Sequence, residues 1–260
     1  MRGLSFYQAL WAAPIAMLTH AVLTVFVAAS LHEAMPVVGR AFEARHPSVS
    51  VRFEFNGSQL LAAQLREGAP ADVFASADKR TMEAARADGL VDAPVVFAGN
   101  SLAVIVNTAS QVRALSDLSK PGLRLIMCAE QAPCGRYARA SLAKLNADGR
   151  YGRHFNAAVM RNVVSMEENV ESVAAKVRLR EADAGFVYGS DAVRLGGAVR
   201  TLKIPQVGQT EIRYPIAVVR STRLASLANS FVSFVRSATG HDIVRRFGFK
   251  TGLAARASQR

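Results

Sequence analysis

The chain has 260 residues, half of them apolar and a fifth charged, with 18 Gly and 9 Pro, and this ordinary globular composition excludes disorder, collagen and coiled coil. Two cysteines are too few for a disulfide scaffold, and the length suffices to bury a core without one. A formal charge of +12 favours anionic partners, which leaves nucleic acid, anionic lipid and small oxyanions open.

Residues 9–31 carry no Lys, Arg, Asp or Glu and are long enough to span a bilayer, which takes about 20 residues. Pro14, Thr19 and His20 interrupt that run, and residues 23–29 (LTVFVAA) have the β-branched and aromatic content of a buried parallel strand. The run therefore divides. Arg2, the apolar stretch 9–18 and the small Ala21 predict a secretory signal over residues 1–21 and export of the remainder. An uncleaved membrane anchor and a cytosolic start are the alternatives.

Beyond the leader, short apolar runs alternate with segments of helical period. Strands are predicted at residues 23–29, 51–55, 72–75, 102–106, 123–128, 184–188 and 214–219; in the second of these Val51, Phe53 and Phe55 alternate with Arg52 and Glu54. Amphipathic helices fill the intervals, which predicts an α/β fold with parallel sheets covered on both faces. Residues 99–101 and the region of 214–219 read as crossings between two lobes. The first lobe then comprises residues 22–101 and 220–260, the second residues 102–219, with a ligand in the cleft at the carboxyl ends of the strands. The small, basic tail 254–260 is expected to fray.

Four helix starts follow strands or tight turns. Ser30 opens Ser30-Leu31-His32-Glu33, with capping-box spacing and an apolar stripe of Leu31, Ala34, Met35 and Val38, and Pro36 is expected to kink that helix. Ser58 follows Asn56-Gly57 and opens a helix with Leu61 and Leu65 on one face, stopped at Gly68 before Pro70. Pro133-Cys134-Gly135 and Asn169-Val170 open the third and fourth. A Ser or Asn at such a place is most often a cap worth roughly 1 kcal/mol. Each start also offers unpaired N–H groups and the positive end of a helix dipole, and four of them meeting would cage a small oxyanion. Tyr188 ends an apolar strand at Gly189, where its hydroxyl either donates into a cleft or simply packs.

These residues carry a resemblance. Residues 25–31 (VFVAASL), 68–78 (GAPADVFASAD), 99–102 (GNSL), 133–138 (PCGRYA), 187–192 (VYGSDA), 214–219 (YPIAVV) and 246–249 (RFGF) follow one another as in the periplasmic molybdate-binding proteins of ABC transporters, which the chain resembles from about residue 23 to 249. The resemblance implies a two-lobed, type II solute-binding fold that closes on tetrahedral molybdate or tungstate, as a monomer in the periplasm, and delivers it to the membrane permease of the transporter. It places ligand contacts on Ser30 and Ser58 (hydroxyl and amide), on the amides of Cys134 and Val170, and on the hydroxyl of Tyr188. Cys134 stands where many relatives carry Ala, and Glu171 puts a carboxylate where a basic residue commonly follows.

A pocket built only of donors favours a fully deprotonated dianion, because a protonated phosphate brings an O–H that finds no acceptor. The larger molybdate touches all the donors, whereas sulfate leaves some unpaired, at about 1 to 3 kcal/mol each. The same fold also admits a binder or sensor of sulfate, thiosulfate or another small oxyanion.

Other classes find little support. There is no Gly-x-Ser-x-Gly, His-Glu-x-x-His or phosphate-loop motif, the five histidines are scattered, and the Glu167-Glu168 pair reads as a solvated loop, so no enzyme and no resident cofactor are expected. Lys and Arg are spread rather than gathered with aromatics, which argues against nucleic acid. Cys128 and Cys134 flank one loop; an oxidising compartment favours a disulfide between them, and a buried Cys128 with a small Cys134 filling a turn is the alternative. With no His nearby they lack a zinc ligand set.

Overall fold

The computed structural model describes residues 20–252; the basic tail and all of the expected leader except His20 and Ala21 lie outside them. The chain first builds β1 (Ala21–Ala28), α1 (Ala34–Glu43), β2 (Val49–Asn56), α2 (Ser58–Arg66), β3 (Val73–Ala75), α3 (Lys79–Ala87) and β4 (Val95–Asn100). It then crosses into β5 (Leu102–Asn107), β6 (Leu125–Cys128), α4 (Pro133–Asp148), α5 (Phe155–Arg161), β7 (Val163–Glu167), α6 (Val170–Arg178), β8 (Ala184–Tyr188), α7 (Gly189–Leu195) and β9 (Val199–Lys203). Finally it returns as β10 (Ile212–Val218), α8 (Ala225–Val235) and α9 (Ala238–Arg246).

Two five-stranded sheets result, ordered β2-β1-β3-β10-β4 and β7-β6-β8-β5-β9. The α/β architecture with two lobes, two crossings and mostly parallel sheets is as expected; each sheet is mixed in that one strand, β10 or β5, runs against the other four. β1 runs parallel to β2 and β3, and β6 to β7 and β8. β10 is antiparallel to β3 and β4, and β5 to β8 and β9. The reason is topological: β5 and β10 are the strands that follow the crossings, so each starts at the cleft, where its neighbours end. A correction concerns the boundary. Residues 212–218, assigned from sequence to the second lobe, form the strand inserted between β3 and β4 in the first, so the return crossing falls at residues 204–211.

Burial explains why these segments hold. Leu23, Val25 and Val27 of β1 are fully buried, as expected of a strand covered on both faces, and β5 is buried along its whole length. One face of α1 (Ala34, Met35, Val38, Phe42) packs inward, with Phe42 edge-on to Phe231 of α8 at 5.2 Å between ring centroids. On the other face of the first sheet Phe26 and Phe74 meet Leu61 of α2 and Met82 of α3. A fully buried side chain of this size contributes about 1.5 to 3 kcal/mol. Gly68, with φ +85°, ends α2 in the left-handed region where glycine carries no steric penalty. Among the described residues no helix is long and apolar enough to cross a membrane.

Candidate functional site

The carboxyl ends of β1, β2, β6, β7 and β8 converge at the cleft; the turns after the first four lead to Ser30, Ser58, Cys134 and Val170, and Tyr188 is itself the last residue of β8. After β1 the chain makes a single 3-10 turn (Ala29–Leu31) that buries Ser30. Ser30 does not cap a helix, contrary to expectation. Its Oγ lies 2.9 Å from the Tyr214 hydroxyl on β10, a tertiary partner that outcompetes the local cap. Helix α1 starts afterwards, at Ala34, so Pro36 sits in its first turn, where the missing N–H costs nothing, and the expected kink gives way to a helix start.

Ser58 is the first residue of α2 and is buried, with Gly57 at the cap position and no side-chain cap. Its Oγ instead accepts a hydrogen bond from the Ala77 amide at 3.0 Å. Gly57 itself is needed for close approach, since a Cβ there would come within 2.6 Å of the Glu168 carbonyl oxygen of the other lobe. Cys134 is the second residue of α4, behind Pro133 at the first position. Val170 opens α6, where Asn169 caps as expected by accepting from the Ser172 amide at 3.1 Å. Helix-starting residues of this kind leave main-chain N–H groups without an intrahelical acceptor.

Tyr188 ends β8 fully buried, its ring edge-on to Tyr137 at 6.4 Å and to Tyr214 at 5.9 Å. Its hydroxyl has no hydrogen-bond partner. Burial pushes its ionisation well above the ordinary phenol range, so it stays a donor. Ser30, Ser58, Cys134, Val170 and Tyr188 all line one cavity, together with Asn56, Gly57, Ala77, Glu168, Asn169 and short apolar residues. No Lys, Arg or His is in that lining. Glu171, which sequence places near the anion, is not in it either. Its carboxylate is held 2.6 Å from Arg194, with His32 at 3.6 Å. Burial raises its pKa, and Arg194 and His32 oppose that shift.

Contacts across the cleft keep the lobes together over the cavity. Arg136, from the first turn of α4, reaches Asp78 and Thr81 of the first lobe, with Nε 3.1 Å from the Asp78 carboxylate. Gln59 donates to the Glu168 carbonyl at 2.7 Å, and Asn169 donates to Asn56 at 3.4 Å. At the first crossing Asn100 donates to Ser190 of the second lobe at 2.9 Å and to Tyr214 of the first at 3.3 Å. Sequence reading did not assign Asn100, Tyr214, Asp78 or Arg136 a role, although each lies in a stretch it singled out.

Cys128 and Cys134 are free thiols, both buried, rather than a disulfide, and Cys134 sits in the first turn of α4. Cys134 donates to the Phe186 carbonyl at 3.4 Å, and the neighbouring Cys128 thiol, together with burial, pushes its ionisation up. Behind the cavity Asp191 accepts from the Tyr188 amide at 2.9 Å and is buried, its other oxygen without a hydrogen bond and 4.0 Å from Arg194. Burial, then the Glu171 carboxylate, push it up to about 8.

Residues 23–250 match the family model of bacterial extracellular solute-binding proteins. The molybdate-binding protein ModA of Mycobacterium tuberculosis strain H37Rv is 37% identical over 230 residues, 87% of this chain and 84% of that protein. Among solved structures, the periplasmic molybdate-binding protein of Azotobacter vinelandii superposes with a TM-score of 0.74 at 21% identity, over 87% of this chain and 98% of that one. The sulfate-binding protein SubI of M. tuberculosis H37Rv gives 0.80 at 19% identity, over 91% and 88%. At these identities the two structures speak to the fold alone.

Proposed function

The chain belongs to the bacterial extracellular solute-binding proteins, and on that footing we propose that it binds molybdate or tungstate in the interlobe cavity and delivers it to the permease of an ABC transporter. The observation that carries the reading is the lining itself: hydroxyls and helix-start amides from both lobes, an unpartnered buried phenol, and no basic side chain. Its relatives named for molybdate binding supply the cargo. In this reading Ser30 and Ser58 donate from hydroxyl and amide, Cys134 and Val170 from their amides, and Tyr188 from its hydroxyl. Neutral donors fixed in place hold an anion without the desolvation penalty of burying Lys or Arg. Molybdate is cargo, and the reading needs no resident cofactor and no catalytic group. The protein works as an exported monomer, its leader at residues 1–21.

Isothermal calorimetry with molybdate, tungstate, sulfate and phosphate in turn tests this. Molybdate and tungstate should bind tightly and alike, sulfate more weakly by roughly 1 to 3 kcal/mol for each donor it fails to reach. Tight sulfate binding with none of molybdate would replace the reading with that of a sulfate-type binder on the same fold.

A further inference from the structure

Resting on that reading of the cavity, we infer that Tyr214 is a positioning residue that holds Ser30 as a donor and so makes the site reject anions that carry a proton. Tyr214 does not line the cavity; it stands one hydrogen bond behind it. The direction of that bond follows from the groups beyond.

The side chain of Asn100 sets that direction. Its Oδ1 accepts from two main-chain amides, Ser101 at 2.9 Å and Ser190 at 3.3 Å, and an amide N–H can only donate. The carboxamide is therefore fixed with its NH2 toward the hydroxyls of Ser190 and Tyr214. A phenol has one proton. Receiving a hydrogen bond from Asn100, Tyr214 directs its own proton to the remaining partner, the Ser30 Oγ at 2.9 Å. Ser30 accepts it, and its own proton is left to point into the cavity that Ser30 lines.

The other serine reaches the same state by a different route. Ser58 accepts from the Ala77 main-chain amide, which has no alternative role, so its proton is committed to the cavity by the backbone. Ser30 is committed only as long as a phenolic hydroxyl sits behind it. Tyr214 is built to hold still: it is fully buried, with Tyr188, Phe97 and Phe249 edge-on to its ring at 5.9, 6.4 and 5.4 Å. Remove its oxygen, and Ser30 is free to turn and accept. A hydrogen phosphate, which needs an acceptor for its O–H, then finds one.

The test compares affinities for molybdate and for inorganic phosphate, by calorimetry on the mature protein, in wild type, Tyr214→Phe, Ser30→Ala and the double variant. Tyr214→Phe should weaken molybdate about tenfold while phosphate weakens less or improves, so that the molybdate-to-phosphate ratio falls. In the Ser30→Ala background the same change should leave the ratio unmoved, a result that a merely structural tyrosine would not give. An unchanged ratio in Tyr214→Phe, or an equal fall with and without Ser30, overturns the inference while leaving molybdate binding intact. Wild-type protein that ignores molybdate overturns the functional reading and the inference with it. Should Tyr214→Phe fail to fold, Asn100→Asp makes the same test: its carboxylate accepts the phenol's hydrogen bond, Tyr214 then accepts from Ser30, and the ratio falls. A ratio that holds in Asn100→Asp refutes the relay.

Discussion

The two lobes meet the cavity with different chemistry. The first brings side-chain hydroxyls, Ser30 and Ser58, each with a hydrogen-bond partner from its own lobe behind it. The second brings the opening residues of α4 and α6 and the unpartnered hydroxyl of Tyr188. A helix start fixes the direction of its N–H groups through the backbone, whereas a hydroxyl turns and must be told where to point. The first-lobe half of the site is thus sensitive to side-chain substitution, and the second-lobe half mainly to the path of the main chain.

The strongest blow to the second half is Gly135→Ala. A Cβ there would lie 2.0 Å from the Ala129 carbonyl oxygen and 2.5 Å from that of Cys128, so the loop that carries the α4 start must move. Stability should fall by about 3 kcal/mol, read from urea unfolding, with affinity lost alongside. On the first half, Ser58→Ala and Ser30→Ala should each weaken molybdate binding by roughly 1 to 3 kcal/mol in calorimetry, Ser58→Ala the more because it also strands the Ala77 amide. Unchanged affinity in both would take the hydroxyls out of the site. Tyr188→Phe should behave like the serines.

A smaller effect separates pH from binding. Asp191 is pushed up to about 8 by burial and by Glu171, with Arg194 opposing. Its carboxyl keeps a proton in the folded state that the unfolded chain gives up above about pH 4, so stability falls as pH climbs from there toward about 8. Asp191→Asn can still accept from the Tyr188 amide and lacks the ionisation. The variant should therefore gain on wild type between about pH 5 and pH 8 in urea midpoints, and parallel curves would refute the assignment. The smallest effect belongs to Cys134→Ala. If only its amide matters, molybdate affinity should shift by less than about 0.5 kcal/mol, and a larger loss would give the side chain a role.

The strands that sequence missed were hidden for physical reasons. β4, β7 and β9 are all edge strands; β7 and β9 cover only alternate residues, which dilutes their apolar signal, while the short apolar run of β4 ends at Gly99-Asn100, which reads as a turn. In β7, Val164 and Met166 are exposed, which mimics a loop. The remaining edge, β2, was legible because Val51, Phe53 and Phe55 alternate cleanly. The site divides in the same way. Asn169 was readable as a cap because its partner, Ser172, is three residues on. Ser30 was misread as one because its true partner stands 184 positions away on a strand that only the folded sheet brings near. The Arg136 contact with Asp78 spans 58 positions and is likewise invisible to local spacing.

The placement of β10 has a consequence for how the molecule comes into being. The second sheet is made from one continuous stretch, residues 102–203, and needs nothing synthesised later. The first has a gap between β3 and β4 until residues 212–218 of the 260 arrive to fill it. During synthesis or on emergence from a translocation pore, the half that holds Ser30 and Ser58 waits with two open sheet edges while the other half assembles. Binding competence is thus the last property the chain acquires, and a ribosome-stalled product ending short of residue 212 should contain a formed second sheet and capture no anion.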